Sequence, residues 1–222
     1  MIKLLSRLTG SSLGKKFVMG LTGLALVGFL FVHLAGNTLL FADRDGRAFD
    51  RYEQTLTGNP LLPLAELALA GLFALHIVFA LRVTAQNRAA KGQNYQTSAK
   101  AKTRSLGSTS MIYTGLVVLG FLVIHILDFR VGKLLREDEG YSMAGMVREK
   151  LSTPLWAGIY VLGVVALAVH LSHGVRSAFQ SLGVSHPNLN PWLVRAGWAV
   201  AVLVGVGFLS FPIYFLAQGA SR

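Results

Sequence analysis

The sequence predicts an all-α integral membrane protein of five transmembrane helices, with its N-terminus cytoplasmic and its C-terminus outside. Three observations carry that expectation. The 222 residues are 53% hydrophobic and only 14% charged, where a soluble domain carries about a quarter charged residues. The apolar residues gather into five blocks, each close to the roughly 20 residues a helix needs to cross a bilayer. The positive charge, finally, is unevenly divided among the connections between those blocks.

The blocks cover residues 17–41, 61–83, 111–127, 154–175 and 196–217, numbered I to V. Span I follows Lys15 and Lys16. Its apolar run of about 25 residues exceeds the roughly 7–15 of a cleavable signal, so it is expected to stay in the membrane. Span II carries a single acid, Glu66, and span III is the shortest. Span V, with Trp198 and Pro212, reads as packing and interface anchoring. Because the connections are polar, residues 1–222 are expected to form one helical membrane domain.

A formal net charge of +11 would suggest nucleic acid in a soluble protein. Its distribution gives a better account. With the N-terminus inside, the cytoplasmic segments hold 12 basic residues: Lys3, Arg7, Lys15 and Lys16, then Arg82, Arg88, Lys91, Lys100, Lys102 and Arg104, then Arg176 and Arg195. No Asp or Glu accompanies them. The outer segments hold nine basic and nine acidic residues, so the excess of positive charge faces the cytoplasm. There is no cysteine, which excludes disulfides, iron–sulfur ligation and thiolate-ligated haem in this chain.

Histidine is costly in a lipid-facing helix, yet four spans carry it: His33 in I, His76 in II, His125 in III, and His170 with His173 in IV. Span I runs outward, with His33 about 12 Å from its outer end by helix rise; His125 lies near the outer end of span III. Spans II and IV run inward, and His76 and His170 lie in the inner half. Two facing pairs at two depths, from four helices, suit axial ligation of two haems inside a bundle. With both axial positions filled there is no vacancy for oxygen, which suits electron transfer. Gly36, three residues after His33, and Gly174, four after His170, share their histidine's helix face and are expected to leave room for a macrocycle. His170 and His173 stand at i and i+3, too close on one helix to ligate one iron together, and spacing alone leaves the choice between them open.

Other chemistries fit less well. A single membrane histidine can simply bond a neighbouring helix, but four paired by depth argue against that. A zinc protease lacks its H-E-x-x-H, and a di-iron carboxylate site needs more buried acids than Glu66. The alternative kept is a proton-coupled transporter with a His/Glu relay, although no inverted repeat is obvious.

The residues also resemble a known family, the single-chain, five-helix, di-haem cytochrome b that anchors bacterial succinate dehydrogenases and fumarate reductases. The resemblance rests on "SSLGKKFVMGLTG" and "HLAGN" in span I and "LHIVFALRVTAQNRAAKGQNY" at His76. It continues through "MIYTGLVVLGFLVIHILDFRVG" at His125 and "HLSHGVRSAFQSLGVSHP" at span IV. It implies two b haems, a distal one on His33 and His125 and a proximal one on His76 and His170, with His173 beside the ligand. It further implies a flavoprotein and an iron–sulfur protein on the cytoplasmic face, a membrane quinone (commonly menaquinone) as electron partner, and a bacterial inner-membrane location. Two positions depart from the family. Ala168 stands where some fumarate reductase members have a glutamate, and Thr109 where many relatives have an arginine.

A quinone site needs an apolar slot and a titratable group at the carbonyls. Glu66, the only acid inside a span, is the candidate for proton exchange with quinone; reaching the interface as a helix-end carboxylate is its other reading. Arg82, Arg88, Arg104 and Arg176 lie at cytoplasmic helix ends, with Arg176 the candidate for a haem propionate. His186, before Pro187, reads as a solvated loop residue.

Overall fold

A computed structural model of the chain describes residues 10–89, 106–136 and 142–219. Among these there is no strand. The first helix, α1 (Ser12–Asn37), extends by a 3-10 turn at Thr38–Phe41. Next come α2 (Arg47–Thr57), α3 (Leu62–Ala89) and α4 (Leu106–His125). A π-helical turn at Ile126–Val131 carries α4 into α5 (Gly132–Arg136). The chain ends with α6 (Met143–Leu151), α7 (Pro154–Ser181) and α8 (Asn190–Gly219). Five stretches are long and apolar enough to cross a membrane, namely α1, α3, α4 with its extension, α7 and α8. The chain is a multi-pass membrane protein.

Each spanning helix outruns its apolar block. A 28-residue helix such as α3 or α7 is about 42 Å long against a hydrocarbon core of about 30 Å, so its ends enter the interfaces. There the backbone keeps its helical hydrogen bonds while the side chains turn polar. Span III shows this most. It was expected to stop near Leu127, and the helix continues through Asp128, Arg130, Lys133 and Arg136. Those charges do not end it because each has a partner: Lys150, Glu66, Glu53 and Glu149 respectively.

Helix α7 is the hub, packing on α1, α4 and α8. Small residues bring the backbones close, as membrane helices require when no hydrophobic force drives them together. Gly20 of α1 lies against Ala178 and Ser181, and Gly197 of α8 against the Ser172 carbonyl. Large apolar side chains remain exposed along the spans, Leu67, Leu162 and Val206 among them, where lipid would cover them.

The two short helices α2 and α6 cap one end of the bundle, which had been expected to hold only polar connections. They close a core of Leu40, Phe49, Ala144, Val147, Leu151, Tyr160, Phe211 and Phe215. Asp50 of α2 accepts from Ser142 Oγ at 2.6 Å and from the Ala144 amide at 2.8 Å, tying the cap helices together. Gly46 enters α2 at φ +79°, and a Cβ there would sit 2.4 Å from that of Ala144, so both conformation and space call for glycine. The opposite end, where α1 and α8 begin, is open. Lys3, Arg7, Lys91, Lys100, Lys102, Arg104, the acids at 137–139 and Arg222 lie outside the described residues, as does the side chain of Thr109.

Candidate functional site: two buried histidine pairs

Toward the capped end, His33 of α1 faces His125 at the end of α4. Their ring centres are 5.7 Å apart and the planes nearly perpendicular at 85°. Aromatic rings surround them: Phe29 stacks on His33 at 5.4 Å, and Phe121, Phe129 and Tyr160 ring His125. Asn37 donates to the His33 carbonyl and its Nδ2 lies 3.4 Å from His33 Nδ1. His125 Nδ1 is buried with no hydrogen-bond partner among the described residues.

Toward the open end, His76 of α3 faces His170 of α7, with ring centres 6.4 Å apart at 82°. Both rings are anchored on their Nδ1 side. His76 Nδ1 is 3.2 Å from the Met19 carbonyl and 3.5 Å from Thr22 Oγ1. His170 Nδ1 is 3.3 Å from Thr114 Oγ1. His173, one turn on, is half-buried and has no hydrogen bond or ring contact among the described residues. The residue that meets His76 is therefore His170.

The four imidazoles thus form two donor pairs, each with its ring planes nearly perpendicular. Among the described residues no three His, Cys, Asp or Glu side chains converge, so each pair offers two protein donors only. A ligand held there has to bring its remaining donors itself, as a porphyrin does. Metal–imidazole bonds of about 2 Å on either side would set ring centres roughly 6 Å apart, close to both observed separations. The residues present fit haem.

Some neighbours differ from the sequence-based expectation. The space beside Gly36 is taken by Tyr52 of α2, whose Oη lies 2.6 Å from where a Cβ would be, and Gly174 faces Met111 Cε at 3.9 Å. The glycines that approach imidazoles are Gly23, where a Cβ would meet His76 Cε1 at 3.1 Å, and Gly115, where it would meet His170 Cε1 at 3.4 Å. Sequence reasoning missed these and the two threonines. A signal was present: M-x-x-T-G occurs at 19–23 and 111–115, with a histidine ten residues beyond each final glycine. Ala168 is half-buried, and its Cβ lies 3.0 Å from the position of a Cβ on Gly205 of α8.

At the capped end Glu66 is held by Arg130 through two parallel contacts of 2.9 and 3.0 Å. The pair is about half exposed and lines a cavity of about 300 Å³ with Pro60, Pro63 and Lys133. A second cavity, about 420 Å³, opens between α3 and α4 at the open end, beside Arg88 and Tyr113. Arg176 is exposed at the open end, and His186 sits in the exposed loop before α8, where its Nδ1 accepts from the Asn188 amide at 3.3 Å. A buried network, also missed, lies beside His125: Asp128 accepts from Lys150 Nζ at 2.8 Å and Tyr160 Oη at 3.0 Å, with Lys150 over the Trp156 ring. Its members fall in three separate elements, so no local pattern announces it.

Fold and site together define a helical membrane protein built around two intramembrane histidine pairs. Residues 93–209 match a family described as succinate dehydrogenase/fumarate reductase transmembrane subunit. The match spans more than half of the chain, and the chain belongs to that family. The matched stretch contains His125, His170 and His173; His33 and His76 precede it. No curated protein and no solved structure matches the chain.

Burial separates two of the ion pairs at the capped end, Asp128–Lys150 and Arg130–Glu66. Asp128→Ala strands Lys150 and Tyr160 at a site where the Asp128 side chain is 10% exposed, and is expected to cost about 3–5 kcal/mol. Arg130→Ala is expected to cost no more than about 1 kcal/mol, because its pair is solvent-screened. Thermal unfolding in detergent should rank the variants in that order.

Proposed function

We propose that the chain is the electron-transfer and anchoring subunit of a succinate:quinone oxidoreductase, holding two b-type haems, each between two histidines. His33 and His125 would hold one near the capped end, His76 and His170 the other toward the open end. The observation that carries this reading is the facing of four imidazoles, from four different helices, in two pairs. Bound haem supplies one-electron carriage between ferric and ferrous iron. The chain's own residues do the rest. The two imidazoles of each site would hold the group, Met19 and Thr22 orient one ring of the inner pair, and the aromatic shell of the outer pair keeps water away.

The open end is the cytoplasmic face in this reading, following the charge asymmetry. There a flavoprotein and an iron–sulfur subunit would dock and carry out all the succinate chemistry, the oxidation step of the tricarboxylic acid cycle or its reverse. Arg176 at that end would pair with a propionate of the inner haem. At the capped end Glu66, beside the smaller cavity, would exchange protons with a membrane quinone, menaquinone being the expected one. The location is the inner membrane of a bacterium.

Single histidine variants separate the sites. His33→Ala and His125→Ala are each expected to remove one haem component and spare the other. His76→Ala and His170→Ala should remove the opposite component, and His173→Ala neither, as read by redox-resolved visible spectra. Loss of haem in His173→Ala with full retention in His170→Ala contradicts the assignment. Glu66→Gln should lower quinone turnover of the assembled complex roughly 100-fold, in the range of general acid–base contributions, at unchanged haem content. Normal turnover removes Glu66 from the quinone site.

A further inference from the structure

The first two spans and the next two repeat a pattern. Met111, Thr114, Gly115 and His125 each stand 92 positions after Met19, Thr22, Gly23 and His33, while His170 and Arg176 each stand 94 after His76 and Arg82. Each helical hairpin, α1 with α3 and α4 with α7, therefore supplies one histidine to the capped-end pair and one to the open-end pair. Within each hairpin the M-x-x-T-G segment of the first helix receives the histidine of the second: His76 rests on Met19, Thr22 and Gly23, and His170 on Thr114 and Gly115.

The hydrogen bonding in these segments has a direction. Thr22 is 5% exposed and its hydroxyl donates to the Val18 carbonyl at 2.8 Å, with the Met19 carbonyl at 3.1 Å. Thr114 does the same toward Ser110 and Met111, at 3.1 and 3.2 Å. With its only proton committed to the backbone, each hydroxyl can offer the imidazole only a lone pair. The Met19 carbonyl beside His76 is likewise an acceptor and nothing else. Nδ1 is therefore the protonated nitrogen of both rings, and Nε2 keeps the lone pair a metal needs. The missing Cβ of Gly23 and of Gly115 lets the ring come down onto its helix. The capped-end pair has no such seat among the described residues: His125 Nδ1 lacks a partner there, and His33 Nδ1 faces the amide nitrogen of Asn37.

We infer that Thr22 and Thr114 are matched positioning residues that hold His76 and His170 as Nδ1–H tautomers and thereby set the affinity and reduction potential of the inner haem alone. This rests on the di-haem reading. Donation from Nδ1–H to an acceptor raises the basicity of the ligating nitrogen and favours ferric iron. Removing the acceptor oxygen moves the potential upward.

The test uses the full chain with haem, comparing Thr22→Val, Thr114→Val and the double variant with Thr22→Ser and Thr114→Ser by redox titration of the visible haem bands. His76→Ala identifies the inner component and His33→Ala the outer one. The expected result is an upward shift of the inner component in each valine variant, a larger one in the double, an unmoved outer component, and near wild-type behaviour in the serine variants. Loss of the inner haem alone in a valine variant, restored by serine, is the same result in stronger form. Two haems at unmoved potentials overturn the inference while leaving the di-haem reading in place. So does a shift of the outer component, loss of both haems together, or a serine variant as perturbed as valine. A wild-type chain that binds no haem overturns both.

Discussion

Inside a bilayer no water is at hand to satisfy a polar group, so each imidazole carried into an apolar helix needs a partner from the protein or from a ligand. That constraint organises the bundle. His76 and His170 spend one nitrogen each on a neighbouring helix and turn the rest of the ring to each other. His33 and His125 meet within an aromatic shell instead. Both pairs join helices that are not neighbours in the chain, so the four spans that carry them cannot slide past one another without breaking a pair.

The same constraint explains the ends of the bundle. At the capped end, the charges that follow span III find partners within the protein: Asp128 turns back to Lys150 and Tyr160, and Arg130 reaches Glu66. The π-helical turn at Ile126–Val131 lies where this network and the ring of His125 coincide, in keeping with the tendency of such turns to occur at functional positions. The capped end thus places a titratable carboxylate and its arginine beside a cavity, while the open end presents basic residues and the ends of five spanning helices.

Much of this is visible in the chain itself, for physical reasons. Hydropathy finds five spans because lipid demands long apolar runs, and sorting His33, His76, His125 and His170 by depth works because helix rise is constant. What hydropathy cannot see is a helix that continues after its apolar run has ended. Hence α4 runs on to α5 beyond Leu127, and α2 and α6 hide in connections that read as polar. Gly36 and Gly174 are expected to leave room for a macrocycle from their place beside a histidine on the same helix, and the space beside Gly36 is taken by Tyr52. The glycines that approach the imidazoles are Gly23 and Gly115, on neighbouring helices, and only the recurrence of M-x-x-T-G hints at them. The choice between His170 and His173, equal by spacing, becomes unequal once helix rotation is known, because only one ring faces His76.

The central claim is that the two histidine pairs are haem sites. The most direct measurement is a pyridine haemochrome assay on the purified, folded chain expressed with ample haem. The account predicts about two moles of b-type haem per mole of chain, one for each bis-histidine pair. A value near zero in a preparation shown to be folded would contradict it, and would return the intramembrane histidines and Glu66 to the alternative of a proton-coupled transport path.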